Sequence, residues 1–505
     1  MITEIEDFMQ EWLIGAAYVL VILLIYGLVL RYLSRKYRKS GNSAPPNGDF
    51  DVDPLISSVS SVKVNAQQET EPQFLISRDE HPVSRKNISD NALKVLYRLT
   101  NHGYDAYLVG GCIRDLYQGL QPKDFDVATS ATPEEVRKIF RNSRLIGRRF
   151  KLVHIMFGRE TIEVATFRAN HDGDGPSSDR SHHSKSGRIL RDNVYGTMQD
   201  DAKRRDFTIN ALYYDGNDFT ITDYYDGVND IEQKQIRLIG DPLRRYHEDP
   251  VRMLRAIRFA AKLNFNISEE TVAPIHDLAY LLGDIPPARL FDEVLKLLQF
   301  GHGVETFKLL REYRLLNYLF PATSECLNAQ DKYVAELIHQ GLMSTDNRIQ
   351  HSMSVTPAFL FATLLWGPMI RIAIGIEKQR VPPIPAMQQA ATIVLENQSG
   401  HTAIPRRFSV AIRDIWDLQI RLVRRQPSVI ESLLEHQRFR AAYDFLLLRE
   451  LSGELLDGAG QWWTDIQEST NLPQMISALH ECKNNNTSKK KRNNKRKPKK
   501  PSCDL

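Results

Sequence analysis

Cysteine is scarce in this chain, and its positions form no recognisable framework. Among 505 residues there are four cysteines, at Cys112, Cys326, Cys482 and Cys503. None belongs to a Cys-x-x-Cys pair, so the sequence suggests no zinc site. A disulfide-stapled secreted domain is equally unsupported, and the low cysteine content fits a reducing compartment.

Long hydrophobic runs are scarce too, and no fixed-length repeat indicates a solenoid. The exception is residues 12–30, which hold 19 residues without a charge and nearly match the roughly 20 needed to cross a bilayer. Acidic residues precede this run and five basic residues follow it by position 39. The positive-inside rule then predicts an uncleaved inner-membrane anchor with everything from residue 31 onward in the cytoplasm. A buried core helix or a misassigned start would give the same pattern.

An excess of positive over negative charge is confined to one segment. The net charge is +4, but residues 489–500 hold nine Lys and Arg and no acidic residue. The remaining 57 basic residues face 62 acidic ones, a net of −5. A block of like charge is typical of a disordered segment that binds nucleic acid. We therefore predict a disordered basic tail over residues 471–505.

Composition and periodicity divide the rest of the chain into further parts. Residues 1–39 are the anchor segment, and residues 40–87, rich in Ser, Pro, Asn and Gln, read as a flexible linker. Residues 88–240 alternate strand and helix signals and predict an α/β head with a small sheet. Apolar residues near helical period then predict an all-α remainder, which we divide into residues 241–320 and 321–470.

Two aspartates in the head are candidates for metal binding. Asp124 and Asp126 stand two residues apart on a predicted strand, so both carboxylates face the same way. Such a pair can bridge two Mg²⁺ ions about 4 Å apart, although alone it equally fits a solvated surface pair. Glu163 lies on the last strand of a predicted hairpin. It would supply a third acidic ligand if that strand lies beside the first.

A glycine pair lies upstream of these aspartates, between a predicted strand and a predicted helix. Gly110 and Gly111 would let the backbone approach a triphosphate at the helix N-terminus, and Arg114 could reach a phosphate as a fork donor. The alternative is a plain turn. Further along, Asp206 follows two arginines and is either a salt-bridged structural acid or an active-site acid.

The segment 248–258 opens a helix with regularly spaced arginines. Pro250 fits the first helical position and Asp249 the N-cap. Arg252, Arg255 and Arg258 follow at three-residue spacing, which keeps neighbouring members close on the helix surface. This is either a solvated basic face or a base-recognition edge. In the second case Asp249 would accept from an exocyclic amine and Arg252 would donate to ring acceptors or stack.

Together these residues resemble one family. The segments LVGGCIRD, PKDFDVATSATPEEV, IEVATFR, RRDFTINAL and EDPVRMLRAIRF match, in order, the motifs of the class II nucleotidyltransferases, which include bacterial poly(A) polymerases and CCA-adding enzymes. The match covers about 88–300. Within the class, four features resemble the bacterial poly(A) polymerases: RNSRLIGRRFKLVHIMFG, the polar insertion 169–195, EDPVRM and the basic C-terminus. Residues 413–426 and 436–450 also resemble the helical RNA-binding region of those polymerases.

The resemblance implies roles for particular residues. It makes Asp124 and Asp126 the metal-binding catalytic pair and Asp206 the third active-site acid, with Glu163 a secondary metal ligand on geometry alone. It places nucleotide binding at Arg204, Asn210, Asp249, Arg252 and Arg255, beside Gly110, Gly111 and Arg114. Residues 241–320 become a nucleotide-recognition neck and residues 321–470 an RNA-binding body.

The activity implied is template-independent transfer of AMP from ATP to RNA 3′ ends with Mg²⁺ or Mn²⁺. It would promote RNA turnover, with RNA-decay proteins as partners. Two alternatives stay open at this point. One is CCA addition to tRNA, and the other is a catalytically idle RNA-binding protein tethered at the membrane.

Overall fold

The computed structural model describes residues 74–147, 151–169, 181–183, 189–192 and 195–469. The predicted anchor at 12–30, the predicted linker up to residue 73 and the predicted basic tail lie outside the described residues.

An eight-stranded sheet forms the centre of the head. Its strand order is β1-β10-β9-β2-β3-β6-β5-β4, and β7 with β8 and β11 with β12 form separate two-stranded sheets. Neighbouring strands of the large sheet run antiparallel except β3 and β6, which are parallel. The strands are β1 Phe74–Ile76, β2 Ala106–Val109, β3 Asp126–Thr129, β4 Ser143–Ile146, β5 Leu152–Phe157, β6 Glu160–Thr166, β7 Ser181–His183, β8 Ile189–Asp192, β9 Leu212–Asp215, β10 Ile221–Asp223, β11 Gln235–Ile236 and β12 Asn266–Ile267.

The first strand corrects the predicted linker boundary. Phe74–Ile76 pairs antiparallel with Ile221–Asp223 at the edge of the sheet, and Val83 just beyond it is fully buried. The head therefore includes residues 74–87, which the prediction had assigned to the linker. A three-residue edge strand is too short to show the alternation on which strand prediction depends.

Short helices complete the head, and several begin where local chemistry dictates. Ser89 caps the first helix. Thr132 and Glu135 form a complete capping box, with Pro133 at the first helical position, as the sequence predicts. These helices are α1 Asp90–Thr100, α2 Gly111–Tyr117, α3 Pro133–Ile139, α4 Met198–Arg204 and α5 Gly227–Glu232, with short 3₁₀ helices at Arg85–Asn87 and Thr208–Asn210.

From residue 242 onward the described chain is almost entirely helical, which agrees with the predicted all-α region. The helices are α6 Pro242–Glu248, α7 Val251–Leu263, α8 Glu269–Val272, α9 Ile275–Leu278, α10 Pro287–Leu298, α11 Gly303–Glu312, α12 Leu316–Leu319, α13 Pro321–Asn328, α14 Lys332–Gln350, α15 Pro357–Glu377, α16 Pro383–Ser399, α17 Arg406–Arg424, α18 Ile430–Leu434, α19 Phe439–Leu451 and α20 Ala459–Glu468, with 3₁₀ turns at Ala279–Asp284 and Pro427–Val429.

Helix α15 is the one helix among the described residues that is long and apolar enough to span a membrane. It is a core helix here, because 61% of its most apolar window is buried. Phe361 is fully buried and Trp366 almost so, and the Trp366 ring lies 5.2 Å from that of Phe445 on α19. A helix covered on most sides is apolar all round for that reason.

Candidate active site

The predicted carboxylate pair lies at the start of a central strand. Asp126 is the first residue of β3, and Asp124 stands two residues before it. Phe125 between them is buried, whereas Asp124 and Asp126 both reach solvent, Asp126 from a position that the surrounding protein partly encloses. The chain therefore alternates here as a strand does. Strand β6 lies directly beside β3, with Asp126 and Glu163 as partners. The condition set for Glu163 as a neighbouring acid is therefore met, although its binding of a metal stays a prediction.

The electrostatics of this group suit a cation. Burial, and then repulsion from Glu163, raise the pKa of Asp126 to about 6, with Asp124 adding to the rise and Arg205 and His154 opposing it. Among the described residues, no three His, Cys, Asp or Glu side chains converge tightly enough to hold a metal unaided. Mg²⁺ is usually held by one or two carboxylates together with substrate phosphates, so oxygen donors in this arrangement fit it.

Next to these carboxylates, the Gly110–Gly111 turn joins β2 to α2. Gly110 has φ +77° and ψ −137°, a conformation that side chains rarely adopt. A Cβ at this position would also lie 3.4 Å from Nη1 of Arg205. Because β2 pairs with β3 so that Val109 lies opposite Asp126, the turn adjoins the carboxylates.

A buried polar chain connects this turn to helix α7. The Arg114 side chain is only 2% exposed, binds Asp115 through Nε and Nη2, and donates from Nη1 to Oδ1 of Asn210 at 2.6 Å. Asn210 donates in turn to Asp206 at 3.3 Å. Arg114 therefore lies beneath the site and acts on it through Asn210. Its direct contact with a phosphate stays a prediction.

Asp206 occupies the far end of that chain. Arg255 donates to its Oδ2 through Nε at 2.6 Å and Nη2 at 2.5 Å. Burial alone would raise the pKa of Asp206, but Arg255 and the hydrogen bond from Asn210 outweigh it and lower the pKa below its ordinary value. The structure thus shows a salt-bridged acid that ties the head to α7. A role as a third active-site acid stays a prediction.

The start of α7 differs from the predicted boundary by one residue. The helix begins at Val251 with Pro250 as its N-cap, and Asp249 ends helix α6. Although Oδ1 of Asp249 accepts from the Val251 amide at 3.3 Å, its Oδ2 accepts from Arg289 at 2.7 Å. One carboxylate oxygen of Asp249 therefore still accepts from the first turn of α7, while the other binds a tertiary partner on α10 that the local sequence does not reveal.

Four arginines crowd together where the head meets helices α6 and α7, and one of them, Arg168, interacts with Glu163. Burial, and then repulsion from Arg168, Arg245 and Arg252, lower the pKa of Arg204 to about 9. Burial and Arg252 lower the pKa of Arg245 to about 10. Glu248 partly balances this charge, since it binds Arg252 at 2.8 Å and Arg245 at 3.1 Å. The excess of positive charge is what an anionic ligand such as a triphosphate would relieve.

Sequence reasoning missed two residues at the site. Arg205 binds Asp201, the Tyr213 hydroxyl and the Asn210 carbonyl, and it faces both Gly110 and Asp126. His154 lies 3.3 Å from Glu163. The hairpin would have revealed it, because a two-residue turn at 158–159 pairs Phe157 with Glu160 and therefore His154 with Glu163.

Comparison with known families matches three models along the chain. A model described as the poly A polymerase head domain matches residues 106–237. One described as a probable RNA and SrmB-binding site of polymerase A matches 264–327, and one described as the polymerase A arginine-rich C-terminus matches 379–498.

Individual relatives agree with these matches. The chain is 51% identical over 411 residues to poly(A) polymerase I of Salmonella typhimurium, covering 81% of this chain and 88% of that protein. It is 50% identical to poly(A) polymerase I of Escherichia coli O157:H7, covering 83% and 93%. A CCA-adding enzyme of Lactobacillus helveticus is 37% identical over 224 residues, which are 44% of this chain and 53% of that enzyme.

Solved structures show the same fold at lower identity. A Thermotoga maritima CCA-adding enzyme complexed with tRNA superposes with a TM-score of 0.52 at 17% identity, covering 79% of this chain and 87% of that one. The chain therefore shares its fold with that enzyme over most of its length.

Proposed function

Since the chain belongs to the bacterial poly(A) polymerase I family, we propose that it transfers AMP from ATP to the 3′-hydroxyl of RNA without a template. Pyrophosphate is the leaving group. The observation that carries this proposal is the juxtaposition of Asp124 and Asp126, beside Glu163, with the Gly110–Gly111 turn and the Arg205 side chain. Carboxylates for a cation and donors for a triphosphate thus lie side by side.

Positioning and electrostatics supply most of the catalysis in phosphoryl transfer. ATP and a divalent metal ion are what this family generally uses, and Mg²⁺ or Mn²⁺ held by Asp124, Asp126 and secondarily Glu163 would lower the barrier by stabilising the attacking and leaving oxygens. The Gly110–Gly111 backbone and Arg204 bind the triphosphate. Arg114, Asn210 and Asp206 fix Arg255 in place.

Adenine selection belongs to the start of α7 in this proposal. Asp249 accepts from the exocyclic amine of the base, and Arg252 contacts its ring. Support comes from their geometry, since Arg289 and Glu248 hold both side chains in fixed positions. A rigid protein edge can select one base without a template.

The parts of the chain would divide the work. The head at 88–240, with its additional strand at 74–76, carries the catalytic centre, residues 241–320 recognise the nucleotide, and residues 321–470 hold RNA. The tail at 471–505 adds sequence-independent attraction for phosphates, which should weaken with salt.

CCA addition to tRNA is the competing activity. It is less favoured because the CCA-adding relatives match only about half of either chain, whereas the poly(A) polymerases match over 400 residues. An idle RNA-binding protein is less favoured still, because every motif carboxylate is present.

The test uses the purified chain with Mg²⁺, an unstructured RNA primer and each nucleotide separately. A long ladder with ATP alone is the expected result. Short extension confined to C and A on a tRNA lacking its 3′ end would move the assignment to CCA addition. RNA binding without incorporation under any metal condition would favour the idle binder.

The membrane tether through residues 12–30 and a partnership with RNA-decay proteins remain separate predictions about a cytoplasmic catalytic domain held at the inner membrane. Fractionation of cells that express the full chain or residues 41–505 tests the tether. Recovery of both forms in the same fraction would refute it.

A further inference from the structure

A row of four side chains crosses the sheet on the face that carries Asp126. Asp126 pairs with Glu163, Glu163 with His154, and His154 with Arg144. Directly opposed residues on neighbouring strands project to the same face. The catalytic carboxylates are thus one end of a strip that runs over β6 and β5 to the edge strand β4.

The chemistry of the strip changes along its length. It is acidic at Asp126 and Glu163, then carries His154, and ends at the exposed Arg144. Nowhere in the described parts of the chain does the Arg144 side chain have an ion-pair or hydrogen-bond partner. Beside it, Ile146 is 42% exposed and pairs with the partly buried Leu152, so an unpaired cation adjoins a small apolar patch.

The geometry of phosphoryl transfer indicates which substrate the strip would contact. In-line displacement needs the attacking oxygen and the leaving pyrophosphate on opposite sides of the transferred phosphate. The Gly110–Gly111 turn and Arg205 lie on the β2 side of Asp126. The strip lies on the other side, over β6, β5 and β4. If the triphosphate occupies the glycine side, the RNA must enter over the strip.

We propose that this strip binds the last nucleotides of the RNA primer, with Arg144 on a backbone phosphate and the Ile146–Leu152 patch beneath a base. The proposal rests on the proposed function. Strands lie about 4.8 Å apart, so Arg144 starts about 14 Å from Asp126. That distance is too long for the reacting phosphate of ATP and suits a phosphate upstream of the 3′ end. Proteins that bind single-stranded nucleic acid commonly combine basic side chains that contact the phosphates with a surface on which the bases pack.

The experiment compares the full chain with Arg144→Ala, using a short oligoadenylate primer, ATP and Mg²⁺ at several salt concentrations. We expect the KM for the primer to rise about tenfold, as for the loss of a charged hydrogen bond, with kcat and the KM for ATP within about twofold. The slope of log KM for the primer against log salt should fall by about 0.7, the value for one phosphate contact on a single strand.

Matched variants separate this role from general effects of charge or folding. Arg159→Ala removes an exposed arginine from the turn of the same hairpin and should change nothing. Arg144→Lys should recover part of the primer affinity, and Ile146→Ser should raise the KM for the primer without altering the salt slope.

Fluorescence anisotropy of the labelled primer, without ATP, tests the strip independently of turnover. Unchanged primer affinity and salt slope in Arg144→Ala would overturn the proposal, as would an equal rise in the KM for ATP. Failure of the unmodified chain to extend any RNA would instead refute the proposed function, while anisotropy would still decide whether Arg144 contacts RNA.

Discussion

At the scale of single residues, the charge on Asp126 is the most consequential feature of the head. Burial and two neighbouring carboxylates oppose its ionisation, so the site favours whatever brings positive charge to it. We expect Asp126→Asn to lower AMP incorporation by more than about 100-fold, the scale set by loss of one preorganised electrostatic group. RNA affinity should be retained, as measured by anisotropy. Asp105→Asn, an exposed aspartate beyond the opposite end of the β2–β3 pair, is the control.

Retained turnover in a double substitution of Asp124 and Asp126 by Ala would refute the assignment of the metal site.

The pair itself could be predicted from the sequence, because both its spacing and its strand are local. The buried chain from Arg114 through Asn210 could not, since its members are 96 positions apart.

The salt bridge between Asp206 and Arg255 gives a second prediction at this scale. Removing one partner of a buried pair costs about 3–5 kcal/mol, and we expect Arg255→Ala near the lower end because that side chain is 33% exposed. Urea unfolding of both single variants and the double variant measures this. The double variant should lose less free energy of unfolding than the two single losses combined. Strict additivity would mean that the two side chains are not coupled in solution.

At the scale of elements, the glycine turn between β2 and α2 couples backbone geometry to activity. Gly110→Ala should lower the free energy of unfolding by about 1–3 kcal/mol, the cost of a strained backbone. It should also impair AMP transfer, because relief of that strain would shift the backbone that adjoins Asp126. Gly119→Ala is a matched control, because Gly119 has φ +74° but no neighbour within 4 Å of an added Cβ. It should show the stability loss alone. Equal activity losses in the two variants would argue against a special role for the turn.

Another prediction concerns three helices where the neck meets the body. Helices α11, α13 and α14 line a cleft of about 830 Å³ that includes Lys308, Arg311, Arg314 and His339. This concentration of basic side chains suits RNA phosphates. Arg311→Glu with Arg314→Glu should weaken binding of a long RNA and flatten its salt dependence, without raising the KM for ATP. Lys378→Glu, on an exposed residue after α15, should leave all three unchanged, and equal losses in both variants would indicate a nonspecific charge effect.

Element prediction succeeded where the cause was local and failed where it was tertiary. The Thr132 capping box and the hairpin at 158–159 were predicted because each lies within a few residues of sequence. The Asp249 cap was placed one residue early, a difference of the size that helix ends commonly show. The ion pair of Asp249 with Arg289, 40 positions away, could not be predicted at all. The strand at Phe74–Ile76 was missed because its only partner, β10, lies about 150 positions further along.

At the scale of the whole molecule, stability should depend on pH through a buried histidine. Burial lowers the pKa of His81 below its ordinary value of 6.5, and its Nε2 lies 2.8 Å from the Phe219 carbonyl oxygen. As pH falls through about 6.5 the unfolded chain takes up a proton that the folded chain resists, so stability falls. Thermal melts between pH 7.5 and pH 5.5 should show a smaller loss for His81→Asn than for the unmodified chain.

The exposed His102 provides the comparison, and His102→Asn should follow the unmodified chain across the same pH range. If His81→Asn also followed it, the buried imidazole would contribute nothing to the acid sensitivity.

The fold class and the order of head and helical region were predictable because periodicity persists over long windows. The packing that isolates His81 depends on strands distant in sequence and was not.

The edge strand at Phe74–Ile76 has a practical consequence for handling the protein. It covers the outer backbone of Ile221–Asp223, which would otherwise offer unpaired amides and carbonyls to another chain. A version trimmed to residue 88, where helical patterning first becomes obvious, would lose that cover together with the buried Val83. Such a version should self-associate through its open sheet edge, whereas one starting at residue 41 keeps the strand.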